Sequence, residues 1–255
     1  MGRLSGRVAI VTGAGSLEGL GATYALALAA EGARLSVSDI VDPAPVVDAI
    51  KRAGGEAIGM QVDVTDAAAV AEMVRRTVAA FSAIQVLVNN AARLGGPDTP
   101  KPLSDITSEQ WDRMMAVNTR GPFECIKAVL PVMRRQHYGK IINIASSTFF
   151  SAPPGELHYV ASKGAVIALT RAAARELGGE GIAVNCVAPG LTLSGNIRSR
   201  LEAMSEARAR NLRDRAFKRD QVPEDLVGTV IFLASADSDF ITGQTILVDG
   251  GAMMH

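Results

Sequence analysis

Short, continuously apolar runs recur along the chain, each closed by a Gly, Asp or Asn and followed by an Ala/Leu-rich stretch of helical period. The runs fall at 7–11, 34–39, 57–62, 85–89, 140–144, 183–187 and 245–248, and the helical stretches at 20–31, 45–53, 67–81, 108–136, 159–178 and 224–234. Strands that are apolar on both faces are buried on both faces, the mark of a parallel sheet covered by helices. Regular alternation of strand and helix requires right-handed crossovers. The expected fold is therefore α/β, a single-domain, Rossmann-like, doubly wound parallel sheet of about seven strands spanning 1–255. No repeat, low-complexity tract or Pro/Gly/Ser-rich linker divides it.

Charge and composition close off several function classes. Lys+Arg and Asp+Glu balance at 26 each, so no net field draws the chain to nucleic acid or an anionic membrane. No apolar run approaches the roughly 18 residues that span a bilayer. The N-terminus enters the first strand with no room for a leader, so a cytoplasmic location is expected. Cys125, Cys186 and three scattered histidines offer no metal-binding spacing. One segment, 193–222, breaks the rhythm. It carries Arg198, Arg200, Arg208, Arg210, Arg213, Arg215, Lys218 and Arg219 with few compensating acids. It reads either as a solvated helix pair or as a lid that favours an anionic ligand.

Ligands of open parallel sheets bind beyond the carboxyl ends of the strands. The first strand ends in VTGAGSLEGLG, residues 11–21. Gly13 and Gly15 fit a GxGxxG loop, but Glu18 fills the third glycine position and Gly19 and Gly21 come late. Such glycines admit a pyrophosphate to the backbone, and a helix opening at Leu20 presents free N–H groups to it. Asp39 closes the second strand, where a carboxylate can bond both ribose hydroxyls and repel a 2′-phosphate. Asp63, followed by Val64, closes the third strand; it faces an adenine or caps a helix. Asn90 and Ala91, within NNAA at 89–92, bring small residues to a ribose at the fourth.

The stretch YVASK, 159–163, places a phenol and an ammonium four residues apart on one helical face. A neighbouring cation favours phenolate and would make Tyr159 a workable acid/base near neutrality. Ser146 ends the fifth strand thirteen residues earlier, where its hydroxyl can bond a substrate oxygen; Ser147 is the adjacent candidate. Asn118 lies in a long helical stretch, where it either kinks the helix or holds a water linking Lys163 to solvent.

In this order and combination the motifs resemble those of the short-chain dehydrogenase/reductase family across essentially all 255 residues. The resemblance implies that Tyr159 is the acid/base, Lys163 its partner and a holder of the nicotinamide ribose, Ser146 the carbonyl-polarising group and Asn118 the relay-water anchor. It further implies that Pro189, Gly190 and Thr192 contact the nicotinamide side, that no metal takes part and that the chain forms a homotetramer. Two features depart from the family: NNAA stands for NNAG, and the glycine loop is two residues longer, with its register open between Gly13 and Gly15. NADP-using relatives place a base before the loop's GxG or after the second strand. Here Glu18 and Asp39–Ile40 occupy those places, so NAD is the expected coenzyme.

The reaction implied is hydride transfer between NAD(H) and an alcohol or ketone. Ser147, Phe149, Phe150 and Leu191, with Met204, Met253 and Met254, suggest an apolar mouth. The IASSTFF stretch and the C-terminal TGQTILVDGGAMMH resemble a subgroup acting on aromatic alcohols, of phenylethanol or pyridoxal type. Two alternatives stand beside it: a 3-oxoacyl-thioester reductase whose Arg-rich segment steers an acyl-carrier protein, and a non-catalytic dinucleotide-binding scaffold. The tail 252–255, ending in His255, is expected near a neighbouring subunit's site or frayed.

Overall fold

The computed structural model describes residues 2–94, 100–202 and 204–254. Seven strands, β1 (Val8–Thr12), β2 (Arg34–Asp39), β3 (Ala57–Gln61), β4 (Val86–Asn89), β5 (Gly139–Ile144), β6 (Ile182–Pro189) and β7 (Thr245–Val248), form one sheet in the order 3-2-1-4-5-6-7. Every pairing is parallel. The helices are α1 (Leu20–Ala30), α2 (Ala44–Arg52), α3 (Ala67–Phe81), α4 (Ser108–Met115), α5 (Gly121–Gln136), the short α6 (Thr148–Ser151), α7 (Leu157–Leu177), the short α8 (Gly195–Arg198), α9 (Ser205–Asp214) and α10 (Glu224–Ala234).

Strand side chains alternate between two cores, one on each face of the sheet. Ala9 and Val11 of β1 and Val86 and Val88 of β4 pack with Tyr24, Leu28, Ile50, Leu226 and Val230 from α1, α2 and α10. Ile10 and Leu87, from the same strands, turn the other way to Met73, Val129, Met133 and Leu177 from α3, α5 and α7. Burial on both faces is why the strands read as unbroken apolar runs.

Two elements differ from expectation. β6 continues to Pro189, through residues read as a loop, because β7 pairs with it to the end, Pro189 opposite Val248. The continuous helix expected over 108–136 is broken by a π-helical turn, Ala116–Arg120, between α4 and α5. Local chemistry accounts for the break. Asn118 turns its amide onto the backbone of Arg93, and Pro122 brings no N–H to the next turn. Gly121 is pressed on the third-strand exit, where an added Cβ would lie 2.8 Å from Val64 Cγ2.

Candidate active site

Strand order reverses between β1 and β4: the chain proceeds outward from β1 to β2 and β3 on one side, and from β4 to β7 on the other. A crevice at the carboxyl ends of β1 and β4 follows from that reversal. Four hydrogen bonds fix its floor. Thr12 Oγ1 accepts the N–H groups of Asn90 and Ala91, each at 3.1 Å. Asn90 Nδ2 donates to the carbonyls of Thr12 (3.0 Å) and Gly13 (2.8 Å).

The same contacts shape the long glycine loop. Gly13 has φ +66°, and a Cβ there would sit 2.5 Å from Ala91 Cα. At Gly21 a Cβ would strike the Gly13 carbonyl and come within 2.6 Å of Asn90 Nδ2. Gly13 and Gly21 thus pack against each other and against residues 90–91. Gly15 lies against Asp39 instead and donates its N–H to Asp39 Oδ2 at 2.7 Å. The extra length forms a turn closed by Gly19 N–H to the Ser16 carbonyl (2.9 Å), with Ser16, Leu17 and Glu18 exposed. Ala92, in place of the family's glycine, is exposed and is not among the residues with positive φ, so a side chain is accommodated there.

The residues fit a dinucleotide. Gly19 caps α1 with no side-chain acceptor, so the first-turn N–H groups at Leu20 and Gly21 remain for a pyrophosphate. Asp39 is held at the end of β2 by the Gly15 bond and by Val41 N–H to Oδ1 (3.2 Å), and Ile40 beside it is exposed. Asp63 Oδ1 accepts both the N–H and the hydroxyl of Thr65, each at 2.8 Å. It does not cap a helix: Asp66, three residues on, accepts from Ala68 and Ala69 at the start of α3. Val64 is buried. Glu18 does not turn to the ribose side. Its carbonyl accepts the Gly195 N–H at 2.9 Å, and a Cβ on Gly195 would lie 2.6 Å from Glu18 Cβ.

At the other half of the crevice, α7 carries Tyr159 and Lys163 one turn apart. Lys163 is buried, donates to the Ile144 carbonyl at 2.8 Å and holds Nζ 5.7 Å from the Tyr159 ring centroid. Ser146, also buried, lies 2.7 Å from Thr148 Oγ1 and accepts the Thr148 N–H at 3.2 Å. Burial pushes the Tyr159 phenol up to about 12; a hydrogen bond with Ser146 works against that rise and the Glu156 carboxylate adds to it. Burial brings Lys163 down to about 8. Desolvation, rather than the ammonium, therefore governs Tyr159 in this structure, contrary to the expected lowering. The Asn118 side chain is tied to its neighbours. Its Oδ1 accepts Arg93 N–H at 2.6 Å, and Nδ2 donates to the Arg93 carbonyl (2.9 Å) and Ser162 Oγ (3.0 Å).

Of the residues expected to line a substrate mouth, Ser147 donates its N–H to the Pro189 carbonyl at 2.9 Å. Phe149 and Phe150 meet edge to face, 5.1 Å between centroids. Phe149 covers Gly164 on α7, while Phe150 packs against a small core of Ala145, Val166, Ile167, Cys186 and Ala188. Leu191 is half-buried, and Met254 is exposed. Beyond β6, Gly190 fits between Gln221 and Asp249, and Thr192 Oγ1 donates to the Gly190 carbonyl at 3.0 Å. His255 lies outside the described residues.

The Arg-rich segment is better compensated than its composition suggested. Arg208 forks onto Asp220 (2.9 and 2.6 Å), and Arg219 onto Asp225 of α10 (2.6 Å twice). Glu156, at the start of α7, is raised by burial, with Arg210 and then Arg200 working in the opposite direction. The segment thus stands beside the mouth near Tyr159. Among the described residues no cluster of His, Cys, Asp and Glu could hold a metal, and no helix is long and apolar enough to cross a membrane.

A family model described as enoyl-(acyl carrier protein) reductase matches residues 13–253. The chain belongs to the short-chain dehydrogenase/reductase family. It is 39% identical over 249 residues to a 3-oxoacyl-(acyl-carrier-protein) reductase FabG of Staphylococcus epidermidis, covering 96% of this chain and 98% of the relative. The structure matches a short-chain alcohol dehydrogenase candidate from Sinorhizobium meliloti with TM-score 0.91 at 31% identity, covering 98% and 97% of the two chains. It also matches a gluconate 5-dehydrogenase candidate from Beutenbergia cavernae with bound NADP, TM-score 0.89 at 34% identity, covering 98% and 97%. As a short-chain dehydrogenase/reductase the chain is an oxidoreductase of the nicotinamide-dinucleotide class. The comparisons do not support the aromatic-alcohol resemblance: the matched relative is named for 3-oxoacyl reduction, and of the two rings Phe150 is taken up in packing while Phe149 stays exposed.

Several contacts that build the site carry no sequence signal. The Thr12 and Asn90 clasp joins residues 78 apart, and the Asn118 clamp on Arg93 reaches back 25. Gln221, which bridges to Thr192 and donates to the Val248 carbonyl at 2.6 Å, sits in a polar stretch with no period.

Proposed function

We propose that the chain reduces the 3-oxo group of an acyl thioester, using a nicotinamide dinucleotide. The full-length relatives named for that reaction support the substrate class. The single observation that carries the chemistry is the cluster of Ser146, Tyr159 and Lys163 at the end of β5. When bound, the dinucleotide supplies the hydride. Ser146 Oγ donates to the substrate carbonyl oxygen and fixes its position. The Tyr159 hydroxyl gives that oxygen the proton, and Lys163, cationic below about pH 8, favours the phenolate left behind. Pro189, Gly190 and Thr192 hold the nicotinamide end. Asn118, whose side chain clamps Arg93 and reaches Ser162 beside Lys163, is the anchor for a proton-relay water. Residues 193–222 form a lid, which the approach of Arg200 and Arg210 to Glu156 supports.

NAD(H) is the coenzyme we infer, on Asp39 alone, since Glu18 faces Gly195. The same carboxylate favours a second reading, NAD-linked oxidation of an apolar alcohol with Tyr159 as base. Assembly as a homotetramer belongs to both readings. Acetoacetyl-CoA reduction with NADH and with NADPH, run beside a panel of alcohols with NAD+, is the test. Turnover of acetoacetyl-CoA at least tenfold above every alcohol in kcat/KM is expected; the opposite ranking overturns the first reading in favour of the second.

A further inference from the structure

Arg215 is buried, 2% exposed, within a segment whose other described cations are half-buried or exposed. It follows α9 in extended conformation. From there its guanidinium donates Nη1 to the Arg219 carbonyl at 2.9 Å and Nη2 to the Leu191 carbonyl at 3.2 Å. Its stem lies on Gly250, where φ is +70° and a Cβ would come within 2.7 Å of Arg215 Cδ. The adjoining backbone closes onto the same turn, Phe217 N–H to the Gly250 carbonyl at 2.9 Å and Ala216 N–H to the Gly251 carbonyl at 3.3 Å. That turn is held by Asp249, whose carboxylate accepts the N–H groups of Gly251 (3.0 Å), Ala252 (3.2 Å) and Met253 (2.9 Å). Asp249 in turn packs on Gly190.

One side chain thus joins three stretches: the loop that leaves β6 at 190–192, the exit of the Arg-rich segment at 215–219 and the C-terminal turn at 249–253. Burying a guanidinium is costly unless its donors are met, and Nε has no partner. Apolar packing of the same space would carry no such cost, so stability is a poor account of an arginine here. Geometry is a better one. The planar fork holds two carbonyls at a fixed separation, which a point-charge ammonium cannot do. The Leu191 carbonyl lies two residues beyond Pro189, whose own carbonyl accepts from Ser147 next to Ser146.

We propose that Arg215 is a positioning residue for the nicotinamide-side loop, holding 189–192 in register with the lid exit and the C-terminal turn. This rests on the coenzyme reading above. It makes a specific demand, because the adenosine end of the crevice, at Gly15 and Asp39, lies across β1, β4 and β5 from β6. Loss of the fork should disturb one half of a dinucleotide and leave the other half alone.

The test is titration of the full chain and its Arg215→Met and Arg215→Lys variants with NADH and, separately, with AMP. Should the wild type prefer NADPH, the pair becomes NADPH and 2′,5′-ADP. Expected are an NADH affinity about tenfold weaker in Arg215→Met, partial recovery in Arg215→Lys, and unchanged AMP affinity, with the KM for the dinucleotide rising in step. NADH affinity unchanged in both variants overturns the proposal, as does an equal loss for NADH and AMP. Arg215→Lys keeps charge and stem, so it carries the test if the methionine variant fails to fold. A wild-type chain that binds neither AMP nor a dinucleotide overturns the coenzyme reading itself.

Discussion

The ammonium of Lys163 sits 5.7 Å from the centre of the Tyr159 ring and is spent in part on the Ile144 carbonyl, 2.8 Å away. With burial bringing Lys163 to about 8 and lifting Tyr159 to about 12, the pair loses its first proton near pH 8. That first proton is the Lys163 ammonium's, while the phenol that donates in reduction keeps its own up to about 12. The kcat/KM for reduction should fall as pH rises through about 8, because the cation that favours the phenolate left behind is lost there. Tyr159→Phe should lose roughly 100-fold or more in kcat while binding coenzyme normally. A reduction profile that stays flat between pH 7 and 9 would count against this assignment. Linkage gives a companion effect. Lys163 binds its proton more weakly folded than unfolded, so its contribution to stability is lost as pH falls through about 8 and is complete only above the unfolded value of 10.5. Lys163→Met should flatten the rise in thermal stability between those limits.

Asp39 accepts the Gly15 N–H through one oxygen and the Val41 N–H through the other, so its carboxylate is aimed before any ligand arrives. A 2′-phosphate would meet this charge directly. Asp39→Ala should weaken NAD(H) by about tenfold to a hundredfold, the worth of hydrogen bonds to a charged group, and narrow the preference for NAD(H) over NADP(H). Kinetic constants for both coenzymes check it, and an unchanged ratio would place the discriminating group elsewhere.

The fold and half of the site can be read from sequence for a physical reason: each depends on local periodicity or on a residue's place at a strand end. Burial on both faces writes the seven strands as apolar runs, and a helix brings Tyr159 and Lys163 together whatever surrounds it. What escapes is set by tertiary contact. The break at Asn118 depends on the Arg93 backbone, 25 residues away, and Arg215 looks like its solvated neighbours until its partner carbonyls are known. Charge counting misled in the same way. Asp220 and Asp225 neutralise Arg208 and Arg219 across turns that composition cannot see.

Gly21 shows how tightly the switch point is drawn. A methyl there would run into the Gly13 carbonyl and approach Ala14 Cα to 2.9 Å, and neither atom belongs to a side chain that can step aside. Gly21→Ala should cost on the order of 1–3 kcal/mol, a fall of a few degrees in Tm, and should abolish coenzyme binding. At Gly19 the nearest atom, the Ser16 carbonyl oxygen, would be 3.1 Å away, so Gly19→Ala should fold normally. Thermal melts of the pair decide between them, and equal losses would mean that the loop does not approach β4 this closely.

The lengthened loop reaches the Arg-rich segment through the Glu18 carbonyl and Gly195 N–H, 2.9 Å apart. A side chain at Gly195 has no room, because its Cβ would stand 2.6 Å from Glu18 Cβ and 2.7 Å from Oε2. The turn at 16–18 is exposed, so Gly195→Ala should separate loop from segment rather than unfold either. The KM values for coenzyme and for carbonyl substrate should then rise together, while Tm stays within about 2 °C because both elements lie at the surface. Removing Leu17 and Glu18 together should relieve the clash and leave Gly195→Ala without further effect, an interaction that a double-mutant cycle measures. Additive effects of the deletion and the substitution would show that loop and segment work independently.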